Sequence, residues 1–154
     1  MKKLLIFALV FLILSSFICA FEGGLEVNDV TVYLNGEKEG KITENSRFDE
    51  IIEPGDEIEF EIEFESTFRE NIDIEDIDVI LKIDNIREGE NITEDISKFD
   101  LNDDSSKIKS IKVDIPDDAD EIVKIVELSI RGVDENGTVH KINFNFEINI
   151  NNDK

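Results

Sequence analysis

The chain is 154 residues long, a one-domain length, and sets 38 acidic residues against 16 lysines and arginines, a net charge of −22. So acidic a surface repels phosphate backbones and anionic lipid headgroups, which argues against nucleic acid and against direct membrane-surface partners. One cysteine, Cys19, leaves nothing to pair with inside the chain.

Taken from its start, the chain has the plan of a secretory signal peptide. Met1-Lys2-Lys3 is a short positive region, Leu4 to Leu14 is unbroken apolar sequence, and Ser15 to Ala20 brings small residues before the polar part begins at Glu22. Cleavage is expected after Ala20. One alternative is an uncleaved anchor, since Leu4 to Phe21 is 18 residues and only just long enough to span a bilayer. Lipidation of Cys19 fits less well, because Ser16-Phe17-Ile18 lacks the small residues such a site requires. Removing residues 1–20 leaves 134 residues, predicted to form a single β-sandwich domain over 21–154. Such a domain buries roughly two-thirds of its unfolded surface. The only cysteine leaves with the signal, and so do Lys2 and Lys3, so 14 basic residues face 38 acidic ones and the charge becomes −24. Stability must then come from the core, bound ions or glycans rather than disulfides.

The first predicted strand is 25–34, with Leu25 and Val27 on one parity and Val30, Val32 and Leu34 on the other. The change of parity at Asn28-Asp29 predicts a bulge or a strand that switches sheets. Asn35-Gly36 turns the chain, and 37–50 reads as a loop with at most a short edge strand, since Ile42 and Phe48 are nearly its only apolar residues. Glu53-Pro54-Gly55-Asp56 makes a turn, with proline preset for its second position and glycine free to take positive φ. Ile58, Phe60, Ile62 and Phe64 then alternate with Glu57, Glu59, Glu61, Glu63 and Glu65, the period of a strand with one buried face.

Ile77, Val79, Leu81 and Ile83 form the next strand, preceded by Ile72 and Ile74 across a bulge at Glu75-Asp76. Ile80 faces the other way. Residues 84–106 read as a polar loop anchored by Ile86, Ile92, Ile96, Phe99 and Leu101, with one short strand near 96–101. Ile111, Val113 and Ile115 alternate with Lys112 and Asp114 until Pro116, which cannot donate to a ladder. A second run puts Ile122, Val126, Leu128 and Ile130 on one parity, interrupted by Lys124, with Val123 and Ile125 opposite; it ends at Gly132. Asn136-Gly137 marks a hairpin. The last strand carries Ile142, Phe144, Phe146, Ile148 and Ile150 on one face. No stretch after the signal repeats at helical spacing, so almost no helix is expected.

About seven strands with one apolar face each call for two sheets packed face to face, an immunoglobulin-like β-sandwich. Glu53-Pro54-Gly55-Asp56, Ile115-Pro116-Asp117-Asp118-Ala119-Asp120 and Asp134-Glu135-Asn136-Gly137 carry a resemblance over most of 25–150. In them the chain resembles secreted immunoglobulin-like modules related to bacterial cell-adhesion (CARDB-type) domains and archaeal S-layer-associated proteins. It departs from them after the corner, where Glu121-Ile122-Val123 stands in place of a common Gly-x-Tyr. With no tryptophan and no cysteine pair, a true antibody-type domain is excluded. The resemblance implies adhesive or structural work at a cell surface.

Few residues suit catalysis. His140, the only histidine, shares the parity of Ile142 near the hairpin and is expected to be a partly packed, hydrogen-bonded strand-end residue. Neither a nucleophile elbow nor a phosphate-cradling glycine loop is present, so no enzyme activity, catalytic residue or cofactor is predicted. Calcium is the one ion the acidic loops suggest. Asp117, Asp118 and Asp120, or Asp134 with Asn136, offer oxygens, though neither run matches an EF-hand and a solvated acidic corner is the simpler account. Asn91-Ile92-Thr93 and Asn136-Gly137-Thr138 are N-glycosylation sequons, and Asn91 is the better candidate because the hairpin uses Asn136. The stripe Glu57 to Glu65 is expected to meet water, lysines or cations and to keep the sheet from stacking on another. These features predict a secreted or cell-surface, non-catalytic module whose partner is an envelope or extracellular protein or a glycan. It touches the membrane only through an uncleaved N-terminal segment. A secreted module for calcium or carbohydrate is the alternative, with Tyr33 the single tyrosine available to a sugar.

Overall fold

A computed structural model describes residues 24–68 and 71–151. The signal segment predicted at 1–20 lies outside the described residues. The described residues are all-β, with nine strands among them in place of about seven: β1 (Leu25–Leu34), β2 (Glu37–Ile42), β3 (Arg47–Ile52), β4 (Glu57–Ser66), β5 (Ile74–Arg87), β6 (Glu90–Leu101), β7 (Ser106–Asp114), β8 (Val123–Asp134) and β9 (Val139–Ile150). They form a four-stranded sheet in the order β2-β1-β4-β7 and a five-stranded sheet in the order β3-β9-β8-β5-β6. Every pairing is antiparallel except β3 with β9.

The sheets pack through the alternating apolar residues. Ile58, Phe60, Ile62 and Phe64 of β4 meet Val79, Leu81 and Ile83 of β5, Val126 and Leu128 of β8, and Phe146 and Ile148 of β9 in one buried cluster. Phe60 and Phe146 stand edge to face with centroids 5.3 Å apart, joining the two sheets near their middle, and Phe64 meets Phe99 of β6 at 5.1 Å. At the side where β6 and β7 adjoin, the inward parity of β7 carries Lys107 and Lys109, opposite Phe64 and Ile62. Their ammonium groups lie 5.8 and 5.2 Å from the Phe99 ring centre, so their stems cover the core while their charges stay exposed.

Two segments read as mostly loop, 37–50 with at most a short edge strand and 84–106 with one short strand near 96–101, hold more strand than that. In 37–52 the apolar signal is thin because β2 and β3 are edge strands, each paired on one side only; Ile42, Phe48 and Ile52 are the buried residues. In 84–106, β5 runs on to Arg87 and β6 spans twelve residues. There the alternation is broken by irregular pairing between Ile74 and Val79 and again between Ile83 and Arg87. The bulges expected at Asn28-Asp29 and Glu75-Asp76 are present, with the register shifting between Val27 and Asp29 and Asp76 adopting φ 52°.

Gly132 does not end its strand, which continues to Asp134. A Cβ at Gly132 would lie 2.7 Å from Cγ2 of Ile74 and 3.1 Å from Cγ1 of Ile77, so glycine is required by the close approach of the bulged part of β5. The second run also differs at its start. Ile122 is 56 % exposed, while Lys124, on the buried parity, is enclosed and donates to the Asn85 carbonyl. The expected turns are in place: Asn35 and Gly36 both take positive φ, as a two-residue hairpin demands. Gly55 (φ 93°) donates to the Ile115 carbonyl at 3.0 Å while Ile115 donates to Asp56 at 2.9 Å, locking the Pro-Gly-Asp turn to the Ile-Pro corner.

Replacing Gly132 with alanine is expected to cost about 1–3 kcal/mol by overpacking. Ser66, whose hydroxyl is buried without a hydrogen-bond partner among the described residues, is expected to tolerate alanine at no loss or with a gain of up to about 1 kcal/mol. Denaturant unfolding of both variants checks the pair.

Candidate functional site

The residues singled out in the loops fall at opposite ends of β8. Asp117, Asp118 and Asp120 precede its start, and Asp134 and Asn136 stand at its far end. They do not come together, and each group has structural duties. Asp118 accepts from Arg87 at 2.8 Å to both oxygens, Arg87 also binds Glu90, and Asp120 lies 3.8 Å from the Lys124 ammonium. The Asp120 backbone N–H donates to Ile86 at 2.8 Å, so the corner is tied to β5. Among the described residues no three His, Cys, Asp or Glu side chains gather as a metal-holding group.

At the hairpin, one oxygen of Asp134 accepts the backbone N–H groups of Asn136 and Thr138, each at 2.9 Å, and the other faces His140 Nε2 at 3.0 Å. The His140 ring stands edge-on to Phe68, 5.3 Å between centroids. Burial alone would raise the Asp134 pKa. The hydrogen bonds from His140, Thr138 and Asn136 outweigh that, and the carboxyl is held below its ordinary range. The only histidine thus clamps a hairpin. Asn91 is exposed on the outer strand β6, with its side-chain oxygen accepting from the Asn85 backbone N–H at 2.9 Å; Asn136 is exposed on the hairpin tip.

A different set of residues converges on the outer face of the four-stranded sheet, where register sets three rows. Lys38, Tyr33, Glu59 and Lys112 lie side by side across β2, β1, β4 and β7. Next come Lys41, Thr31, Glu61 and Ser110, and beyond them Asp29, Glu63 and Ile108. The glutamate stripe is therefore interleaved with lysine from both sides. Lys112 bonds Glu57 at 2.7 Å and lies 3.5 Å from Glu59, and Lys41 pairs with Asp29, which raises the Lys41 pKa through that hydrogen bond and the attraction of the same carboxylate. Between the rows is an open depression lined by Asp29, Thr31, Lys38, Lys41, Glu61, Glu63 and Ile108.

Sequence reasoning found the glutamates and missed the depression. Lys38 and Lys41 lay in a segment read as loop, and Thr31 gains meaning only once β1 is known to separate β2 from β4. The one available signal was that Thr31 and Tyr33 share the parity opposite to that of the core residues Val30 and Val32.

No family model matches the chain, and no curated protein matches it. Among solved structures it is similar to the C-terminal domain of wzt, with 8 % identity over 86 % of this chain and 77 % of that one and a TM-score of 0.60. It is also similar to a family 123 glycoside hydrolase from Clostridium perfringens, described in work on glycolipid glycan hydrolysis. There the identity is 13 %, the coverage 84 % of this chain and 27 % of that one, and the TM-score 0.51. The chain thus spans about a quarter of the hydrolase's length. At these identities the likeness is one of fold: two packed β-sheets.

Since Asp134 has a lowered pKa in the folded state, its contribution is full above the unfolded carboxylate value and is lost as the pH falls through the folded one. Asp134→Ala is expected to cost about 2 kcal/mol at neutral pH, and its gap to the wild type should narrow below about pH 4. Chemical unfolding of both proteins across that range is the measurement; a gap that stayed constant to low pH would contradict the hairpin clamp.

Proposed function

We propose that the chain is an exported, non-catalytic, immunoglobulin-like domain that acts at the cell surface or in the secreted fraction through contacts with an envelope protein or a glycan. The observation that carries this reading is where unused chemistry lies. His140, Asp134, Asp118 and Asp120 are engaged in holding a hairpin and a corner, whereas polar groups left to a partner stand on an open sheet face. An open face suits recognition; turnover calls for converging acid, base and nucleophile groups. The signal-peptide pattern of residues 1–20 supports export, and the turn motifs support kinship with CARDB-type and S-layer-associated modules.

The second reading is a small ligand-binding module. Its carbohydrate form would place the sugar in the depression. Its calcium form would need one of the acidic loops to rearrange around the ion, and a rise in thermal midpoint with calcium over magnesium at equal ionic strength would support it.

The contact reading is tested by immobilising the protein and passing envelope and secreted fractions of its host over it. A saturable partner, competed by free protein, is expected. Retention no greater than on a blank matrix, or a hydrolase activity lost in His140→Ala, would sink the proposal.

A further inference from the structure

One side of β9 is only half covered. Along its second half runs β3 with the turn before it: Asn45 N–H donates to the Asn145 carbonyl at 2.7 Å, Glu147 N–H to the Ser46 carbonyl at 2.9 Å and Asn151 N–H to the Ile52 carbonyl at 3.0 Å. These bonds all involve odd-numbered positions, while the even-numbered Ile150 turns its N–H the other way, to Ile122. Backbone direction alternates along a strand, so Lys141 and Asn143 point their N–H and carbonyl groups to the same side as Asn145. Beyond the start of β3, no described strand pairs with 139–144 on that side. β1 is open at the same corner. Its pairing with β2 begins only at Val30, and a Cβ at Gly24, just before β1, would lie 3.7 Å from Nδ1 of His140. Ile142 of β9 and Val27 of β1 pack against the core yet are only partly buried.

This open edge is also the least guarded one. Charged side chains normally keep edge strands from pairing with other chains, and β2, β3, β6 and β7 each carry three or more. The stretch 139–144 carries Lys141 and no acidic residue, on a chain that has 38 of them. Lys141 stands beside Arg131 of β8, with Asp78 of β5 next in the row, and neither cation takes part in an ion pair or side-chain hydrogen bond among the described residues. A segment that completes the edge is therefore extended. It exchanges backbone hydrogen bonds with Lys141 and Asn143, turns aliphatic side chains toward Ile142, and sets a carboxylate beside Lys141. Residues 139–144 give it a length of about 20 Å. A second copy adding the same edge would bring the two Lys141 side chains close and set two chains of charge −22 against each other, which favours a different protein. We propose that β9 accepts a strand of another protein along 139–144, in line with β3, by β-strand addition. The proposal rests on the contact reading and adds to it a second place of contact, with a protein as the partner.

The test is an NMR titration of the full chain, run beside the fraction pull-down, with a capped hexapeptide that alternates valine with threonine and has glutamate for the central threonine. Two control peptides carry lysine or proline in place of the glutamate. The glutamate peptide is expected to shift the amide signals of Lys141 and Asn143 saturably and to slow their hydrogen exchange. The lysine peptide should bind about fivefold more weakly, and the proline peptide, which has lost a backbone donor, should leave those signals in place. Lys141→Glu should reverse the order of the first two peptides with little change in thermal midpoint, as befits an exposed residue. Slow exchange at Lys141 and Asn143 before any peptide is added would overturn the proposal: if independent of protein concentration, the chain itself fills the edge, and if rising with it, a second copy does. Shifts confined to other strands, or a peptide order indifferent to Lys141→Glu, would overturn it too. No peptide at the edge together with a saturable pull-down partner would overturn the edge proposal and leave the contact function standing. Neither peptide nor partner would overturn both.

Discussion

The register of β4 is the constraint on which the rest of the structure depends. This strand lies between β1 and β7, and alternate residues send four apolar side chains into the core and five glutamates outward. A slip of one residue would exchange the two sets and bury five carboxylates, so the hydrophobic and electrostatic terms select the same alignment. That single alignment places Phe60 against Phe146 inside and Glu61 beside Thr31 outside. Core and candidate site are two faces of one strand.

Much of this was legible because period two leaves a strong trace. The final strand, with its inward Phe144, Phe146, Ile148 and Ile150, and β4 were both read at their correct parity. Glycine and proline located the corners, since Gly55 needs a positive φ and Pro116 ends a ladder. What escaped notice lay at sheet edges. β2 and β3 each bury one or two residues, and β6 follows an irregular register, so burial writes little periodicity into them. Lys124 misled for another reason: an enclosed lysine is stable when a carbonyl and a carboxylate lie nearby, and those come from Asn85, far away in sequence, and Asp120.

The candidate site was less legible than the fold. Abundant carboxylates hid the few that matter, and neighbours in a sheet belong to segments whose order only tertiary structure sets. Thr31 and Glu61 are thirty positions apart, and nothing local joins them. The loop residues proposed as calcium ligands were conspicuous in sequence for the opposite reason. Asp118 and Asp134 sit in turns, where an aspartate commonly serves the backbone or a nearby cation, and here they bond a hairpin and Arg87. With its stability drawn from the inner faces, the chain leaves an outer face open to contact.

That division between a stabilising inner face and an open outer face is the central claim. It is tested most directly by denaturant unfolding of Phe60→Ala and Glu61→Gln, adjacent residues on opposite sides of β4. The account predicts a loss of about 3–5 kcal/mol for Phe60→Ala and a change within about 0.5 kcal/mol for Glu61→Gln. Comparable losses from the two substitutions would contradict it, because the outer face would then be holding the fold together rather than standing free for a partner.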